Sequence, residues 1–490
     1  MRVLLAESIR EIEQKAFLSG ISYLTMMENA ARATVTAILS KTQVKGKTVA
    51  VVVGTGNNGG DGYAVARLLE NEGAFVRVLS LALPETESAK TMRNSFGGEI
   101  TDFEPSYLYE AHIIIDALFG IGLSRPLSGE YEQAVNYINS SSAYTVSLDI
   151  PSGLFADSNR DTPCVKADLT VTFIAHKLCN LLYPAAKNFG ETVLSDINLP
   201  DSLYEGVNTV GEIIPPPVFT RRERNTHKGS YGTLSLICGS LGLAGAAVLS
   251  AKAALRCGVG IARLVVPQSI YPSVSGSVPE AVCSVYGEND DIKKTAQNAV
   301  LNADAVLIGC GLSTLPFAKK LFEEVLKNYR GKLIIDADGL NILASNIECI
   351  KHSGAEIILT PHPGEMARLC GVTVADIEND RLGFAKSLSD KYGCTVILKG
   401  SITVVASCGK LYFNTTGNPG MATGGSGDVL AGMVAAFACT GMSCIDSAVT
   451  AVYLHGAAGD RASSALGEIS ALPSDIISFL PEMFKEFGER

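Results

Sequence analysis

The sequence predicts an α/β protein of two domains, each built on a parallel sheet with helices on both faces. Apolar runs of about five to seven residues, typical of buried strands, alternate with helical patterns along the chain. The chain has 490 residues, and three consecutive prolines at 215–217 interrupt the pattern near its middle. Because a run of prolines continues neither a helix nor a central strand, we place the boundary near residue 212, giving domains 1–212 and 213–490.

The apolar runs predict the strands directly, since strands buried on both faces read as nearly continuous hydrophobic segments. In the first domain the predicted strands are Thr48–Val53, Phe75–Leu81, His112–Ile115, Thr145–Asp149 and Leu169–Phe173. In the second domain they are Thr233–Cys238, Ala262–Val266, Ala305–Ile308, Lys332–Ile335, Glu356–Leu359, Thr395–Leu398 and Ile402–Val405.

The composition excludes several classes of protein. A hydrophobic fraction of 47% is typical of a folded globular chain, and a net charge of −10 argues against nucleic acid or an anionic membrane as the partner. The 12 cysteines include no C-x-x-C pair, which favours buried thiols in a cytoplasmic protein over disulfides or a metal site. The uncharged stretch 429–445 is shorter than the ~20 residues of a membrane span, so we expect a buried helix.

A glycine-rich loop, GTGNNGGDG at 54–62, follows the first of these strands, and we expect a helix from about Tyr63. It contains G-x-G-x-x-G, a weak signal for phosphate binding at a helix N-terminus. Asp61 argues against an ordinary dinucleotide-binding turn, because its negative charge lies where a pyrophosphate would bind. From spacing alone, Asp61 also fits a helix N-cap.

Polar side chains also follow the next strands. Asp116 precedes the loop FGIGLSRP at 119–126, and Asp149 begins the segment DIPSG. Because ligands bind at the carboxyl ends of parallel strands, Asn58, Asp116 and Ser152 are candidate oxygen ligands for a hard cation. Asp149 is a candidate general base. Each aspartate equally fits a loop cap.

These motifs, with LTMMENAA at 24–31, resemble the NAD(P)H-hydrate epimerase domain over about residues 10–210. The resemblance implies a Rossmann-like three-layer sandwich that interconverts the R and S epimers at C6 of hydrated NAD(P)H. It implies a K⁺ ion on Asn58, Asp116 and Ser152, and a substrate contact at Asp149. It also implies that two loops hold the hydrated nucleotide: Asn57, Asn58, Gly59, Gly60 and Asp61 in one, and Gly120, Ile121, Gly122, Leu123, Ser124, Arg125 and Pro126 in the other.

The strongest motif of the second half is NPGMATGGSGD at 418–428, which precedes the uncharged helix. Small residues at a helix start expose backbone N–H groups, and the helix dipole favours a transferring phosphoryl group there. Asp428 can then accept the proton of an attacking hydroxyl. The alternative is a plain turn with Asp428 as a helix N-cap. No P-loop motif is present.

Other strand ends of this half carry polar groups that suit a nucleotide site. They are Gly239–Ser240, Gly309–Gly311, the pair Asp336 and Asp338, the segment TPHPGE at 360–365, and the segment KGSIT at 399–403. His362 lies between two prolines and fits a structural or a functional role equally well. Cys310 has no evident activating histidine, so we interpret it as a small residue and not a nucleophile.

The GGSGD segment resembles the ribokinase superfamily signature, with Ser426 where alanine is common. With HKGSYG, TPHPGEMARL and LKGSIT, it resembles the NAD(P)H-hydrate dehydratase domain over about residues 215–490. The resemblance implies a ribokinase-like three-layer sandwich in which ADP phosphorylates the S epimer, and NAD(P)H, AMP and phosphate leave. Asp428 would be the base. The hydrate would contact Ala246, Gly311, His362 and Asp428, and the nucleotide Lys399, Gly400, Ser401, Ile402, Thr403 and Gly427.

Together the two resemblances imply a bifunctional repair enzyme in which the epimerase supplies the S form to the dehydratase. Mg²⁺ is expected on the ADP phosphates, with no ligand assigned in the chain. The family implies a homo-oligomer, a tetramer or larger. The alternatives are a ribokinase-type kinase of a small alcohol, whose product keeps its phosphate, and a first domain that serves only as a scaffold.

Overall fold

A computed structural model describes residues 1–287 and 289–488 of the chain. Its internal contacts divide it into two compact units, Met1–Glu212 and Ile213–Arg490. Each unit contains its own sheet and its own buried core.

The first unit is a parallel sheet covered by helices. The strands of this sheet are β2 (Thr48–Val53), β3 (Phe75–Ser80), β4 (Glu99–Asp102), β5 (Ile113–Ala117), β6 (Tyr144–Leu148), β7 (Leu169–Phe173) and β8 (Glu191–Ser195). Two short strands outside this sheet, β1 (Arg2–Val3) and β9 (Gly211–Ile213), pair antiparallel with each other. The helices of the unit are α1 (Ala6–Leu18), α2 (Tyr23–Lys41), α3 (Asn57–Asn71), α4 (Glu87–Ser95), α5 (Ser106–Glu110), α6 (Glu130–Ser140) and α7 (Leu178–Leu181).

The sheet order is β4-β3-β2-β5-β6-β7-β8, and every neighbouring pair is parallel. Alternate residues of β2 enter different cores: Val51 packs with Met27 and Tyr63 on one face, and Val52 packs with Ile138 on the other. Period-two alternation with both faces apolar explains why β2 is a continuous hydrophobic run. The first unit is therefore the predicted three-layer α/β sandwich.

The second unit contains a larger sheet. Its strands are β10 (Thr233–Ile237), β11 (Ile261–Pro267), β12 (Val282–Tyr286), β13 (Ala305–Ile308), β14 (Lys332–Ile335), β15 (Glu356–Leu359), β16 (Thr395–Leu398), β17 (Val404–Ser407) and β18 (Lys410–Phe413). Its helices are α8 (Ala244–Arg256), α9 (Tyr271–Ser277), α10 (Ile292–Val300), α11 (Pro316–Asn328), α12 (Asp338–Leu343), α13 (Pro363–Cys370), α14 (Val374–Asn379), α15 (Arg381–Tyr392), α16 (Ser426–Cys439), α17 (Cys444–Leu466) and α18 (Pro473–Phe487).

The order of these strands is β18-β17-β16-β15-β14-β13-β10-β11-β12. Pairs from β12 to β16 are parallel, but β16, β17 and β18 pair antiparallel, which corrects the expectation of a wholly parallel sheet. The connections between β16 and β17 and between β17 and β18 are short. Short connections can join only antiparallel strands, since a parallel crossover needs a dozen or more residues. The short 3₁₀ helices of both units are Ala185–Asn188, Asp201–Tyr204, Lys228–Tyr231, Ile347–His352 and Pro419–Met421.

The uncharged segment 429–445 is split between two helices, α16 and α17. Every residue of α16 from Val429 to Cys439 is buried, and α16 packs in the core of the second unit, which confirms a buried core helix for this part of the segment. The expectation that one helix extends to residue 445 is wrong, because an exposed turn ends α16 and α17 begins at Cys444. Among residues 1–287 and 289–488, no helix combines the length and the hydropathy that a membrane crossing requires.

Candidate active sites

The first candidate site lies where β2, β5 and β6 end. Asp116 is the second-to-last residue of β5. Asp149 directly follows β6 and has a positive φ of 66°. The helix after β2 starts earlier than expected: α3 begins at Asn57, with Gly56 as its N-cap. Asp61 therefore lies inside α3, and its interpretation as a helix N-cap is wrong.

Glycines in this site allow the backbone to pack closely. A Cβ on Gly54 would lie 2.1 Å from the Leu118 carbonyl oxygen, which no real side chain tolerates. A Cβ on Gly120 would lie 2.9 Å from Asp149 Oδ2 and 3.4 Å from Asn58 Oδ1. The loop of Gly120 thus runs directly beside two of the predicted site residues.

Asp116 and Ser152, two of the predicted K⁺ ligands, are joined by hydrogen bonds. Ser152 Oγ donates to Asp116 Oδ1 at 2.6 Å, and Ser152 N–H donates to Oδ2 at 2.9 Å. Ser147 Oγ donates to Oδ2 as well, at 2.8 Å. Burial raises the pKa of Asp116, and these hydrogen bonds oppose the rise.

Lys177 is the residue of this site that the sequence analysis missed. Its side chain is fully buried, and Nζ donates to Asp149 Oδ1 at 2.5 Å, Thr172 Oγ1 at 2.7 Å and the Phe173 carbonyl at 2.8 Å. The other Asp149 oxygen, Oδ2, accepts from Ile121 N–H at 3.2 Å. All three ammonium protons of Lys177 are therefore used, and Asp149 is fixed in place.

The remaining predicted residues of the first site line two loops. Asn57 Oδ1 accepts from Thr86 Oγ1 at 2.8 Å, while the buried Asn58 Nδ2 has no hydrogen-bond partner among the described residues. Gly59 and Gly60 are buried in the first turns of α3. The 120–126 loop is mostly open: the half-buried residues are Gly120, Ile121 and Leu123, and the exposed ones are Gly122, Ser124, Arg125 and Pro126.

The second candidate site lies at the N-terminus of α16. Asp428 is the third residue of α16, and the N-cap is Gly425 with φ 101°, so the alternative interpretation of Asp428 as the N-cap is wrong. The pKa of Asp428 is raised to about 6, chiefly by burial and also by the Asp336 carboxylate, while Cys310 and Lys399 oppose the rise. A carboxyl with this pKa is ionised at neutral pH and is a better proton acceptor than an ordinary aspartate.

A buried ion pair lies beside Asp428. Lys399 Nζ donates to Asp336 Oδ1 at 2.9 Å, and Thr360 Oγ1 donates to the same oxygen at 2.6 Å. The Cys310 Sγ and one carboxylate oxygen each of Asp336 and Asp428 all lie within 4.8 Å of one another. Burial alone would lower the pKa of Lys399, but the nearby carboxylates outweigh burial and raise it, so Lys399 stays charged.

The residues predicted to contact the hydrate lie at neighbouring positions. A Cβ on Gly311 would lie 2.9 Å from the Ala246 Cβ, so Gly311 and the first turns of α8 are in close contact. His362 is the N-cap of α13: its Nδ1 accepts from Gly364 N–H at 3.0 Å, and its Nε2 is 3.4 Å from Glu365 Oε1. The structural role of His362 is thus clear, and half of its side chain remains exposed.

Arg381 holds the predicted nucleotide loop, residues 399–403, through hydrogen bonds to its backbone carbonyls. Nη2 of Arg381 donates to the carbonyls of Lys399 at 2.9 Å and Ile402 at 3.4 Å. A Cβ on Gly400 would lie 2.4 Å from the same nitrogen, so a larger residue there would displace the Arg381 side chain. At the other side of the site, Lys399 Nζ lies 3.3 Å from the position of a Cβ on Gly427. Ser401 is exposed, and Thr403 Oγ1 donates only to the Gly400 carbonyl, at 3.4 Å.

Three further residues of the second site had no assigned role: Asp336, Glu365 and Arg381. Asp336 was recognisable as a strand-end carboxyl, because it follows β14 directly. Glu365 is the N3 partner of the His362 capping box, a signature readable from the spacing. Arg381 forms a local ion pair with Glu378, but nothing in the sequence indicates its contacts with the nucleotide loop, which lies about 20 residues further along the chain.

Comparisons with known proteins agree with this organisation. A family model described as "YjeF-related protein N-terminus" matches residues 24–179, and one described as "NAD(P)H-hydrate dehydratase" matches residues 234–482. Relatives named bifunctional NAD(P)H-hydrate repair enzyme match nearly the full length. That of Moorella thermoacetica is 36% identical over 96% of this chain and 94% of its own, and that of Escherichia coli is 36% identical over 88% and 84%.

Solved structures match the second half of the chain. A protein of Streptococcus mutans, SMU.573, is 28% identical, covers 55% of this chain and 95% of its own, and has a TM-score of 0.50. An ADP/ATP-dependent NAD(P)H-hydrate dehydratase from Bacillus subtilis, co-crystallised with ATP/Mg²⁺, is 31% identical over the same shares with a TM-score of 0.49. The full-length matches confirm the resemblance seen in the sequence motifs. The chain belongs to the family of bifunctional NAD(P)H-hydrate repair enzymes.

Proposed function

We propose that residues 1–212 interconvert the R and S epimers of hydrated NADH and NADPH, and that residues 213–490 convert the S epimer to NAD(P)H with ADP. The observation that carries this proposal is the Asp428 carboxyl at the start of α16, beside the buried Lys399–Asp336 pair. The similarity to bifunctional repair enzymes over 96% of the chain supports the assignment of both halves.

In the proposed dehydration, the C6 hydroxyl of the S epimer attacks the β-phosphorus of ADP. Asp428 accepts the hydroxyl proton, and AMP leaves as the phosphoanhydride bond breaks. The N–H groups of Gly427 and its neighbours, aided by the α16 dipole, stabilise the negative charge on the transferring phosphoryl group. Phosphate then leaves C6 while the proton at C5 is lost, and the ring double bond of NAD(P)H is restored. One ADP thus yields one AMP and one phosphate.

The remaining predicted residues of this half bind the two substrates. Lys399, Gly400, Ser401, Ile402 and Thr403 form the nucleotide loop, with Gly427 across from it. Ala246, Gly311 and His362 border the hydrate. The support for this division is positional: Arg381 holds the nucleotide loop rigid, and the close contact of Ala246 with Gly311 forms a separate wall. Rigid positioning of both substrates supplies much of the rate enhancement of a phosphoryl transfer.

Mg²⁺ is expected on the phosphates of ADP, where it neutralises charge. The acidic cluster of the site does not fit a resident Mg²⁺. One of its three members is the Cys310 thiol, a soft ligand that Mg²⁺ disfavours, and Asp336 Oδ1 already accepts from Thr360 and Lys399. We therefore propose that Mg²⁺ enters with the nucleotide.

In the proposed epimerisation, the loops Asn57–Asp61 and Gly120–Pro126 hold the nucleotide, and Asp149 contacts the hydrated ring. Asn58, Asp116 and Ser152 would hold K⁺. Their donor atoms fit, because all three side chains offer oxygen, and because the buried Asn58 Nδ2 has no hydrogen-bond partner among the described residues that would hold the amide in its present orientation. When bound, K⁺ would supply positive charge near the phosphates. Two further expectations, a homo-oligomer of four or more chains and a cytoplasmic location, stay predictions.

The test uses the full chain and a mixture of R and S hydrates, with ADP and ATP run side by side. We expect near-ultraviolet absorbance of NAD(P)H to return from the whole mixture, with one AMP and one phosphate formed for each ADP used. Conversion of the S fraction alone would contradict the epimerase assignment. A phosphorylated product that persists would instead support a kinase of the ribokinase type.

A further inference from the structure

Two carboxyl groups near Asp149 lack the partners that ionised carboxylates normally have. Glu13 projects from α1 and Asp61 from α3. Neither carboxyl has a hydrogen bond or an ion pair with any described residue, although both side chains are partly buried. Asp149 differs, since Lys177 and the Ile121 N–H occupy both of its oxygens. The site thus combines one fixed carboxylate with two free ones.

Helix α1 is fixed against the same loop that borders Asp149. Ala6 N–H donates to Asp157 Oδ1 at 2.8 Å, and Arg10 Nη2 donates to the Ile121 carbonyl at 3.2 Å. Glu13 is three residues after Arg10, so it lies on the same face of α1, one turn further along. Ala6 also packs with Ile150, the residue that follows Asp149. The geometry therefore places Glu13 at the Ile121 side of the site.

Asp61 reaches the site from α3. The first turn of this helix carries Asn58, whose Oδ1 and Asp149 Oδ2 both approach Gly120. Asp61 follows Asn58 by three residues and therefore shares its helix face. Loop residues Gly120 and Ile121 are thus bordered by α3 on one side and α1 on the other.

Burial and the neighbouring carboxylates both raise the pKa of these two carboxyls. The pKa of Glu13 is raised to about 7, chiefly by burial and also by the Asp149 carboxylate, while Lys177 and Arg10 oppose the rise. Burial raises the pKa of Asp61 well above its usual range, and Asp149 and Glu13 add to the effect. Neighbouring carboxyls of this kind titrate as a pair and can share one proton at neutral pH.

We propose that Glu13 and Asp61 are the acid–base pair of the epimerase site, an inference that rests on the proposed function of residues 1–212. C6 of the hydrated ring bears a hydroxyl and is bonded to the ring nitrogen, so its C–O bond ionises when the oxygen is protonated. The carboxyl that holds the proton gives it to the C6 hydroxyl, the C6–O bond breaks, and water leaves. The nitrogen lone pair forms the C6=N1 double bond.

Water then adds to the opposite face of C6, the C6=N1 electron pair returns to nitrogen, and the second carboxylate accepts the released proton. One water leaves and one enters, so the step needs no further reactant. The reverse direction exchanges the roles of the two carboxyls, and proton exchange between them restores the starting state. Lys177 acts as a positioning residue, because it holds Asp149 and leaves the pair as the mobile proton carriers.

The experiment follows epimer exchange by chromatography in the full chain without ADP, and dehydration of pure S hydrate with ADP as a second readout. We expect Glu13→Gln and Asp61→Asn each to lower the rate of exchange by about 10²–10⁴-fold in both directions. Dehydration of the S epimer should stay unchanged. The matched control is Glu11→Gln, an exposed glutamate of the same helix, which should exchange at the wild-type rate.

The pH profile separates a proton carrier from a structural residue. We expect wild-type exchange to change around pH 7, and Glu13→Asp to retain part of the rate with a displaced profile. Exchange by Glu13→Gln within tenfold of the wild-type rate, or equal losses in Glu13→Gln and Glu13→Asp with an unchanged profile, would overturn the inference. Failure of the wild-type chain to exchange epimers at all would instead refute the proposed epimerase function.

Discussion

Replacement of Lys177 by methionine tests whether the buried ion pair organises the first site. Methionine keeps much of the length and the apolar stem but removes the charge. Asp149 would then be left almost buried, with its carboxyl 12% exposed and without a counter-charge. Thr172 Oγ1 and the Phe173 carbonyl would each lose a donor as well.

The expected loss of stability is large. Removing one partner of a buried ion pair costs about 3–5 kcal/mol, because the remaining charge is uncompensated. For a unit of about 200 residues each kcal/mol shifts the melting temperature by about 2–4 °C, so we expect a fall of roughly 6–20 °C. The double variant Lys177→Met/Asp149→Asn removes both charges. The double variant should lose less stability than Lys177→Met alone. Asparagine tolerates the positive φ at position 149.

The assay is equilibrium unfolding in urea of the wild type, both single variants and the double variant, with thermal melts in parallel. Lys166→Met is the matched control, since Lys166 is exposed in the same unit, and its effect should stay within about 0.5 kcal/mol. If the losses of the two single variants simply add in the double variant, Lys177 and Asp149 do not stabilise each other and the reasoning is refuted.

Four further predictions concern the second unit. Asp428→Asn should lower the rate of ADP-dependent dehydration by about 10²–10⁴-fold. In the wild type, this rate should fall below about pH 6 as Asp428 is protonated. A rate that stays constant from pH 5 to 8 would contradict the role of Asp428 as base. Gly309→Ala should destabilise the protein by at least about 1–3 kcal/mol, because its Cβ would lie 2.0 Å from the Asp336 carbonyl oxygen at φ 126°. Gly245→Ala, in open space within α8, should stabilise by about 0.5–1 kcal/mol in the same urea titration. Burial lowers the pKa of His455 to about 4, so the unfolded chain binds its proton first and stability should fall as pH falls from about 6.5 to 4. Over that pH interval, the free energy of unfolding of His455→Gln should fall by roughly 3 kcal/mol less than that of the wild type. Parallel curves of stability against pH for the two proteins would disprove this prediction.

The central strands were predictable from the sequence alone. The predicted runs coincide with β2, β7, β13, β14 and β15 residue for residue. These strands are buried on both faces, so burial leaves a continuous apolar signal. The edge strands carry no such signal: β4 has the sequence EITD, with none of its residues buried, and β12 is half-exposed. Strand pairing at an edge depends on the neighbour and not on the strand's own hydropathy.

The start of α3, next to the first site, was less predictable. Glycine lowers intrinsic helix propensity, so GTGNNGGDG indicated a loop up to about residue 62. The helix nevertheless begins at Asn57, since Gly59 and Gly60 pack against Gly54 and Met27, where larger side chains would not fit. Tertiary contact therefore decided the position of Asp61 within a helix.

The two α/β units, their central strands and the motifs that carry Asp116, Asp149, Ser152 and Asp428 can all be predicted from local sequence patterns. Buried strands and short strand-end loops are local in sequence, and their composition follows directly from burial and turn geometry. The partners of the buried charges depend on the fold: Lys177 pairs with Asp149, Lys399 pairs with Asp336, and the Asp149 charge raises the pKa of both Glu13 and Asp61. A lysine or a glutamate is expected at the surface from its sequence, because its charge is costly to bury. Only the fold, by bringing distant strand and helix ends together, supplies the opposite or like charge that gives such a residue its function.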